Sequence, residues 1–278
     1  MKRKIALLMV GAMMAMTLFA GCGSKKETKE DNSQDTTRTE DSADSGTERT
    51  KLIVGFDANF PPYGYEEDGE YVGFDLDLAQ EVCERNGWEL EKQPIDWDSK
   101  DMELDSGTID CIWNGFTING REDEYTWTEP YVDNSQVMVV PEDSGIETLA
   151  DLAGKQVLVQ ADSSALKALQ GDQADLAETF TLTEVADYNT AFMTMESGAA
   201  DAVAMDIGVA DYQIESRGGG YVILKEEIAA EQYGVGFKLG NEKLRDQVQD
   251  TLNEMAQDGK LTEIAEKWEL TDAVCLGK

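Results

Sequence analysis

The sequence predicts an α/β protein whose mainly parallel sheets are flanked by helices. Apolar strand-like runs alternate with amphipathic helical segments from residue 51 to residue 270. Such alternation is typical of parallel sheets with helices on both faces. The chain has 278 residues, 41% of them hydrophobic, which suffices for one large domain or for two lobes with buried cores.

The predicted strands are short apolar runs. From the amino terminus they are KLIVGFD (51–57), TIDCIWN (108–114), SQVMVVP (135–141), KQVLVQ (155–160), ADAVAMD (200–206) and QYGVGFK (232–238). Runs of this length and composition are typical of buried strands.

The predicted helices carry apolar residues at helical spacing. In the first of them, Leu78, Ala79, Val82 and Cys83 recur on one face, and Gly87 provides a stop signal. A helix over 163–171 begins with a serine, which is a favourable cap, and Asp162 just before it is a further candidate for a capping role. The other predicted helices are 149–154, 191–198, 209–217, 241–259 and 261–270.

Composition excludes several classes of function. The chain has 57 acidic and 23 basic residues, a net charge of −34 and no histidine. A chain this acidic repels nucleic acid and anionic membrane surfaces; the charge indicates a soluble acidic surface or, alternatively, attraction for cationic ligands. Without histidine, Ser-His-Asp and Cys-His catalysis and histidine metal sites are excluded. No phosphate-binding glycine loop, CxxC pair or metal-spaced acidic cluster is present, so we predict no metal and no cofactor.

The first fifty residues predict export rather than a folded domain. A basic start, MKRK, precedes the apolar run IALLMVGAMMAMTLFA and the Gly21–Cys22 junction, which is the pattern of a signal peptide over residues 1–21. The stretch FAGC resembles a bacterial lipobox, which implies cleavage before Cys22 and lipidation of its thiol. The alternative is a membrane helix, for which the run is short. Residues 22–50 have almost no apolar side chain and predict a disordered acidic tether.

Three cysteines remain in the mature chain: Cys83, Cys111 and Cys275. An odd number in an exported protein leaves at least one thiol unpaired. Cys83 and Cys111 lie in apolar patterns and are interpreted as small core residues. A disulfide that includes Cys275 is the alternative left open.

The loop NGFTINGRED (114–123) directly follows a predicted strand and carries a single arginine, Arg121, beside a glycine. This arrangement suits the binding of one small anion, although Arg121 could also be an ordinary surface residue. In sheets of this class, ligands lie beyond the carboxyl ends of strands. The residues expected at that edge are Asp57, Trp113 to Thr117, Gln160 to Ser164, and Asp206.

Seven stretches in this order resemble the extracytoplasmic solute-binding proteins of polar amino-acid ABC transporters, family 3, which have the type II periplasmic-binding fold. They are GFDANFPPYGY (55–65), GFDLDLA (73–79), GTIDCIWNGFTINGRE (107–122), TWTEPYV (126–132), GKQVLVQADSSA (154–165), SGAADAVAMD (197–206) and GKLTEIAEKW (259–268). The resemblance implies two lobes joined by two hinge strands, which close on a ligand in the cleft. Lobe 1 is expected at 51–136 plus 236–278, and lobe 2 at 137–235.

The resemblance also implies roles for individual residues. Arg121 is expected to bind the ligand α-carboxylate in a bidentate pair, and Asp206 to bind the α-ammonium. The TINGR spacing before the arginine is one residue shorter than is common in the family. The remaining residues of the predicted ligand site are Asp57, Phe60, Trp97, Asn114, Gly115, Thr117, Gln160, Ser163 and Ser164.

Several of these residues have simpler interpretations that the sequence leaves open. Asn114 and Thr117 could form a turn. Asp206 could cap the helix that follows it, and Trp97 could be a core aromatic residue.

The sequence therefore predicts a lipid-anchored, monomeric, extracytoplasmic binding protein, held on the outer face of the bacterial cell membrane, that delivers a free amino acid to a permease. Asp57 between two aromatic residues favours a basic or long polar ligand such as arginine, lysine, glutamine or histidine, and cystine stays possible. Two alternatives share the fold: an enzyme similar to cyclohexadienyl dehydratase, which we do not expect, and a sensor domain.

Overall fold

The structure is a computed structural model that describes residues 49–278, and its first segment contributes most of one sheet. The elements of this segment are β1 (Lys51–Phe56), β2 (Asn59–Phe60), β3 (Gly64–Glu67), β4 (Glu70–Val72), α1 (Phe74–Asn86), β5 (Glu89–Pro94), α2 (Lys100–Ser106), β6 (Cys111–Ile112) and β7 (Thr126–Trp127). A turn of 3₁₀ helix, Trp97–Ser99, precedes α2.

The middle segment builds a second sheet, and the chain then returns to the first. These elements are β8 (Val132–Pro141), β9 (Gln156–Gln160), α3 (Ser164–Gln170), α4 (Ala174–Ala177), β10 (Thr181–Val185), α5 (Tyr188–Glu196), β11 (Ala202–Asp206), α6 (Ile207–Ser216), β12 (Tyr221–Ile223), β13 (Ala229–Tyr233), β14 (Gly236–Phe237), α7 (Glu242–Asp258) and α8 (Lys260–Lys267). The predicted helix at 149–154 is a 3₁₀ turn over Leu149–Leu152.

Two mixed sheets form the centres of two lobes, which confirms the predicted α/β class. The first sheet has the order β5-β1-β6-β14-β7, and the second has the order β10-β9-β11-β8-β12, with β13 also paired to β8. The strands β2, β3 and β4 form a small third sheet. Helices α1, α7 and α8 pack together on the first lobe, while α5 and α6 pack on the second sheet.

The prediction that the sheets are mainly parallel is wrong. Strand β1 pairs in parallel with β5 and β6, and β9 pairs in parallel with β10 and β11. The remaining pairs of these two sheets, all those of β8 and β14, are antiparallel, as are the pairs of the small third sheet. The reason is that β8 and β14 belong to the stretches that cross between the lobes, and they do not enter their sheets through a helical crossover as parallel strands require.

The predicted strand over residues 232–238 is in fact two strands in different sheets. Strand β13 pairs with β8, whereas β14 pairs with β6 and β7. Gly234 lies at the break, where an added Cβ would come within 2.8 Å of Ile118. Residues 132–141 and 229–237 are thus the two connections between the lobes. The exact lobe limits, 136/137 and 235/236, stay predictions.

Helix α1 confirms the helix that was predicted from the spacing of apolar residues before Gly87. Its buried residues include Leu78, Ala79, Val82 and Cys83, all on one face. It ends at Gly87, whose φ of 69° and backbone N–H bonds to the last helical carbonyls complete a left-handed cap. The cysteines that were predicted as core residues, Cys83 and Cys111, are buried, and all three cysteines of the described chain are free thiols.

The carboxyl ends of parallel strands from both lobes point at the same cleft. Strand β1 leads into Asp57, β6 leads into residues 113–117, β9 ends at Gln160, and β11 ends at Asp206. Strand register places the ends of β1 and β5 side by side, since Phe56 pairs with Pro94.

The signal peptide, the lipidated Cys22 and the tether lie outside the described residues. Among residues 49–278, no helix is long and apolar enough to cross a membrane.

Candidate functional site

A small cavity lies between the lobes and is lined only by residues of the predicted site. Its volume is about 10 Å³, roughly the space of a single water molecule. The residues that line it are Phe60, Trp97, Gly115, Thr117, Gln160, Ser163, Ser164 and Asp206. The first four precede β8 and the last four follow it, so both lobes contribute to its wall. The cleft is therefore closed in this structure.

Four contacts across the cleft hold the lobes in this closed arrangement. Arg121 donates to Ser164 Oγ at 2.9 Å, and Gln160 Nε2 donates to Asp57 Oδ2 at 2.7 Å. Lys100, which is almost fully buried, forms an ion pair with Asp162, and Lys167 donates to the Gly120 carbonyl. These pairs join groups that must separate when the cleft opens. Asp162 thus pairs across the cleft instead of capping α3, where Ser163 is the cap.

The Arg121 guanidinium is buried with uncharged partners only. Besides Ser164, its hydrogen-bond partners are the carbonyls of Thr117 and Asp162, at 3.4 and 3.5 Å. The guanidinium carbon lies 5.4 Å from the centre of the Phe116 ring. Among the described residues, no carboxylate lies within ion-pair distance of Arg121. Because a buried charge without a counter-charge is costly, this geometry suits an incoming anion.

The short TINGR loop aims Arg121 inward through a tight turn. The Arg121 amide donates to the Ile118 carbonyl at 2.8 Å, and Gly120 adopts a φ of 76°. Glycine adopts such positive φ values without steric cost. The indole of Trp127 then donates to the Arg121 carbonyl at 2.9 Å and fixes the end of the turn.

Asp206 lines the cavity and has no cationic partner among the described residues, whereas Arg121 is not part of the lining and contacts it through Thr117 and Ser164. Its carboxylate accepts hydrogen bonds from Tyr233 at 2.6 Å and from Tyr188 at 3.3 Å. Asp206 precedes α6, but its side chain makes no capping hydrogen bond. The alternative that Asp206 is merely a helix cap is therefore wrong.

Glu231 is a second buried carboxylate beside Asp206, and the sequence analysis missed it. The side-chain amides of Asn134 and Gln136 each donate to both Asp206 Oδ1 and Glu231 Oε1, over 2.6–3.0 Å. Burial raises the pKa of Asp206, and burial together with the charge of Asp206 raises the pKa of Glu231 to about 7. The signal in the sequence was alternation: Glu231 and Tyr233 occupy the buried positions of β13.

Thr117 connects this acidic pair to the arginine loop. Its hydroxyl donates to Glu231 Oε1 at 3.0 Å, while its carbonyl accepts from Arg121. The side chain is buried and also lines the cavity. Thr117 is thus more than a turn-forming residue, because it touches both charged regions of the site.

Gly115 allows the backbone to approach the cavity. Its φ is 56°, and an added Cβ would lie 2.7 Å from the Phe60 ring. Its N–H donates to Asp75 Oδ2 at 2.6 Å, so this donor is already used within the protein. Asp75 also accepts from the Tyr131 hydroxyl at 2.8 Å, and burial raises the pKa of Asp75 to about 7.

Asp57 is not part of the lining of the small cavity and contacts it through Gln160 of the second lobe. Besides Gln160, its carboxylate accepts from the Asn59 amide at 2.8 Å, and burial raises its pKa. The amide oxygen of Asn114 accepts from the Asp57 backbone N–H at 3.0 Å. Asn114 is not among the residues that line the cavity, and it holds the end of β1 in place.

A larger cavity of about 580 Å³ also has Trp97 in its lining. Five carboxylates line it: Asp57, Asp96, Asp98, Glu103 and Asp187. Trp97 is half-buried, lines both cavities and packs edge-on against Phe116, with 5.5 Å between ring centres. Phe60, on the wall of the small cavity, lies 6.0 Å from Tyr188 between ring centres. Within the described chain, no cluster of three or more metal-binding side chains occurs.

Comparison with known proteins places this chain in a family. Residues 52–271 match the family model described as bacterial extracellular solute-binding proteins, family 3. The chain is 30% identical over 226 residues to the L-cystine-binding protein TcyJ of Escherichia coli K12, which covers 80% of this chain and 83% of the relative. It is 29% identical over 273 residues to the arginine-binding extracellular protein ArtP of Bacillus subtilis, covering 96% and 98%.

A solved structure shows the same fold. The substrate-binding protein of an ABC uptake transporter from Streptococcus pneumoniae with bound histidine superposes with a TM-score of 0.76. The two chains are 32% identical over 78% of this chain and 92% of the other. All three of these proteins are named as binding proteins.

Proposed function

Because the chain belongs to family 3 of the bacterial extracellular solute-binding proteins, we propose that it captures a free amino acid in the cleft and delivers it to an ABC transporter permease. One observation carries the proposal. Asp206 lines the cavity and has no counter-cation. The Arg121 guanidinium has no counter-anion and is not itself part of the lining, but it donates to Thr117 and Ser164, which line the same cavity. An amino acid supplies both missing charges, because its negatively charged carboxylate and its positively charged ammonium group are bonded to the same α-carbon.

Arg121 would hold the α-carboxylate, and Asp206 would hold the α-ammonium. Ser163, Ser164 and Thr117 add hydroxyl groups to the wall of the cavity. Arginine can grip a carboxylate with two parallel hydrogen bonds, which fixes orientation as well as charge.

The ligand side chain would extend past Trp97 toward Asp57 and the larger, acidic cavity. The five carboxylates there favour a cationic or hydrogen-bond-donating side chain and disfavour aspartate and glutamate. Phe60 and Trp97 provide aromatic surfaces for a cation or a planar group. We therefore propose a basic or long polar ligand: arginine, lysine, glutamine or histidine. The names of the arginine and histidine binders agree with this choice, whereas that of the cystine binder keeps cystine as the alternative.

Binding would proceed without chemical change. The absence of histidine removes the commonest general base, and the relatives described above are named as binding proteins. An amino acid recovered unaltered after prolonged incubation with the protein, measured by mass spectrometry, supports binding alone; conversion of the ligand would contradict it.

We place the protein outside the cytoplasmic membrane, where lipid on Cys22 would anchor a monomer close to the permease. Comparing membrane and soluble fractions of wild type and Cys22→Ser tests this anchor. Equal membrane retention of both proteins would contradict it.

Calorimetry with the twenty amino acids and cystine tests the binding function, and Arg121→Ala tests its geometry. Loss of the guanidinium leaves the ligand carboxylate unpaired in a closed cleft, so affinity should fall by about 2–5 kcal/mol. Arg85→Ala is the matched control, because Arg85 of α1 forms ion pairs with Glu81 on the same helix and with Asp258 at the end of α7. Binding of Arg121→Ala at wild-type affinity would show that the carboxylate is held elsewhere.

A further inference from the structure

The second acid of the site, Glu231, has a position that amino-acid binding by Arg121 and Asp206 does not explain. Asn134 and Gln136 each use one amide nitrogen to bridge Asp206 Oδ1 and Glu231 Oε1. One nitrogen within hydrogen-bond distance of both oxygens brings the two carboxylates close together. Glu231 and Asp206 are only 6% and 4% exposed, so water screens neither charge.

No cation of the described chain forms an ion pair with either carboxylate within 4 Å. The charged group of the facing loop, Arg121, connects to Glu231 only through Thr117. The titratable groups that contact the pair are the phenols of Tyr188 and Tyr233, and the charge of the pair also acts on Tyr63. Further acids, Asp57, Asp75 and Asp211, act on Tyr63 or Tyr188. Two adjacent, buried carboxylates cannot both ionise without a large energetic cost. The pKa of Glu231, raised to about 7 by burial and by Asp206, agrees with this expectation.

The cluster also lacks hydrogen-bond donors. The amide oxygens of Asn134 and Gln136 are buried and accept no hydrogen bond within the described chain. Glu231 Oε2 likewise accepts none there. An ammonium group brings three donors and a positive charge, which are the two properties this cluster is missing.

We propose, on the premise of the amino-acid-binding function above, that Asp206 and Glu231 share one proton in the free protein and that the α-ammonium of the ligand displaces it. In this step a carboxyl O–H bond breaks, and the proton passes to water or buffer. The ligand enters with its ammonium protonated and keeps all three N–H bonds. The ligated site then holds two carboxylates and one ammonium, and amino-acid binding is coupled to proton release.

This coupling fixes the direction of the pH dependence. The free protein binds one more proton than the complex, so protons compete with the ligand and affinity falls as pH falls. With the shared proton leaving near pH 7, about half a proton should be released at pH 7. Below that pH, affinity should weaken by about tenfold per pH unit until the complex itself takes up the proton.

Calorimetry of the full mature chain with L-arginine and L-glutamine measures the release. Titrations at pH 7 in buffers of different ionisation enthalpy give the number of protons per ligand bound. Both probes share the α-ammonium, whereas only arginine has a charged side chain that could influence Asp57. Equal release with both probes assigns the proton to the ammonium site, and release with arginine alone would overturn the proposal.

Glu231→Gln removes one titrating group and keeps an oxygen for the Thr117, Asn134 and Gln136 donors. We expect its proton release to disappear and its affinity to vary less than threefold between pH 5.5 and 7.5. Glu227→Gln, at an exposed position before β13, is the control and should behave as wild type. A Glu231→Gln protein that folds and still releases the proton would overturn the assignment.

The wild-type titrations need no variant, so they decide the matter even if Glu231→Gln fails to fold. Amino-acid binding without proton exchange overturns this proposal and leaves the proposed function intact. No binding of any amino acid would overturn both.

Discussion

At the scale of single residues, the proposed roles of Arg121 and Asp57 follow from the lack of an oppositely charged partner for each buried side chain. Arg121 is buried and meets only neutral groups, while Asp57 is buried against the amide of Gln160. Both pairs cross the cleft, so each residue contributes to the closed arrangement, and we propose that each also contributes to recognition. Exposed ion pairs such as Lys51–Glu91 carry little energy by comparison.

Asp57→Asn tests whether Asp57 contacts the side chain of the ligand. A cationic side chain would lose its charged partner, so arginine affinity should fall by about 1.5–3 kcal/mol, whereas glutamine affinity should change much less. The variant keeps an oxygen for the Asn59 amide. Competition calorimetry with arginine and glutamine measures the change in preference.

Asp96→Asn, on the wall of the larger cavity, is the control for this experiment. An Asp57→Asn protein that still prefers arginine to the same degree would show that Asp57 does not contact the side chain. A wild-type protein that binds glutamate or leucine most tightly would overturn the assignment of the ligand class and leave the role of Arg121 intact.

At the scale of elements, α1 supports the binding loop through its first turn. Asp75 accepts hydrogen bonds from the Gly115 amide and the Tyr131 hydroxyl, so it joins the helix to the loop after β6 and to the segment before β8. No cation neutralises Asp75 among the described residues, and burial raises its pKa to about 7. The helix therefore carries a carboxyl group whose protonation matters for the fold.

The raised pKa of Asp75 predicts a loss of stability as pH rises. The folded protein holds a proton that the unfolded chain releases near pH 3.8. The contribution of Asp75 is therefore complete below that pH and declines as pH approaches 7, by up to about 4 kcal/mol. Asp75→Asn cannot ionise, so its unfolding free energy should depend less on pH between 4.5 and 7.5.

Urea unfolding at several pH values measures this difference. Glu84→Gln, on the exposed face of the same helix, should retain the wild-type slope. Some slope remains in Asp75→Asn because burial also raises the pKa values of Asp57, Asp206 and Glu231. A variant with an unchanged slope would mean that Asp75 ionises in the folded protein without cost.

At the scale of the whole molecule, the two lobes meet through polar contacts that can be broken and remade. The ion pair of Lys100 with Asp162 and the bond from Arg121 to Ser164 join residues on opposite sides of the cleft. A ligand that touches both walls binds the closed form better than the open form, and it therefore shifts the population toward closure.

Small-angle scattering tests this closure. The radius of gyration of the mature wild-type chain should decrease when arginine or another ligand from the calorimetric panel saturates it. Arg121→Ala at the same ligand concentration should show no such decrease, because it lacks the group that joins the ligand to the first lobe. Identical wild-type curves with and without saturating ligand would argue against a hinge.

Several features could be predicted from the sequence because they depend on neighbours along the chain. Helix α1 followed from apolar spacing and the terminal glycine, and the α/β class followed from the alternation of segments. The predicted site residues also follow local rules, since they stand directly after strands, where loops of this fold class converge. The lone arginine on a glycine turn left an ordinary surface position open for Arg121, and the structure excludes that alternative because the side chain is buried; its binding role stays a prediction.

Other features were decided only by tertiary structure. The break of the segment 232–238 into two strands depends on which sheet each half meets, and the sequence reads there as one apolar run. Glu231 and Asp75 gain their properties from burial against residues far away in the chain, including Asp206 and Gly115. The burial of a side chain and its distance from other charges depend on residues from all parts of the folded chain. The spacing of apolar residues depends only on neighbours in the sequence. For this physical reason the sequence predicted helix α1 but not the properties of Glu231 and Asp75.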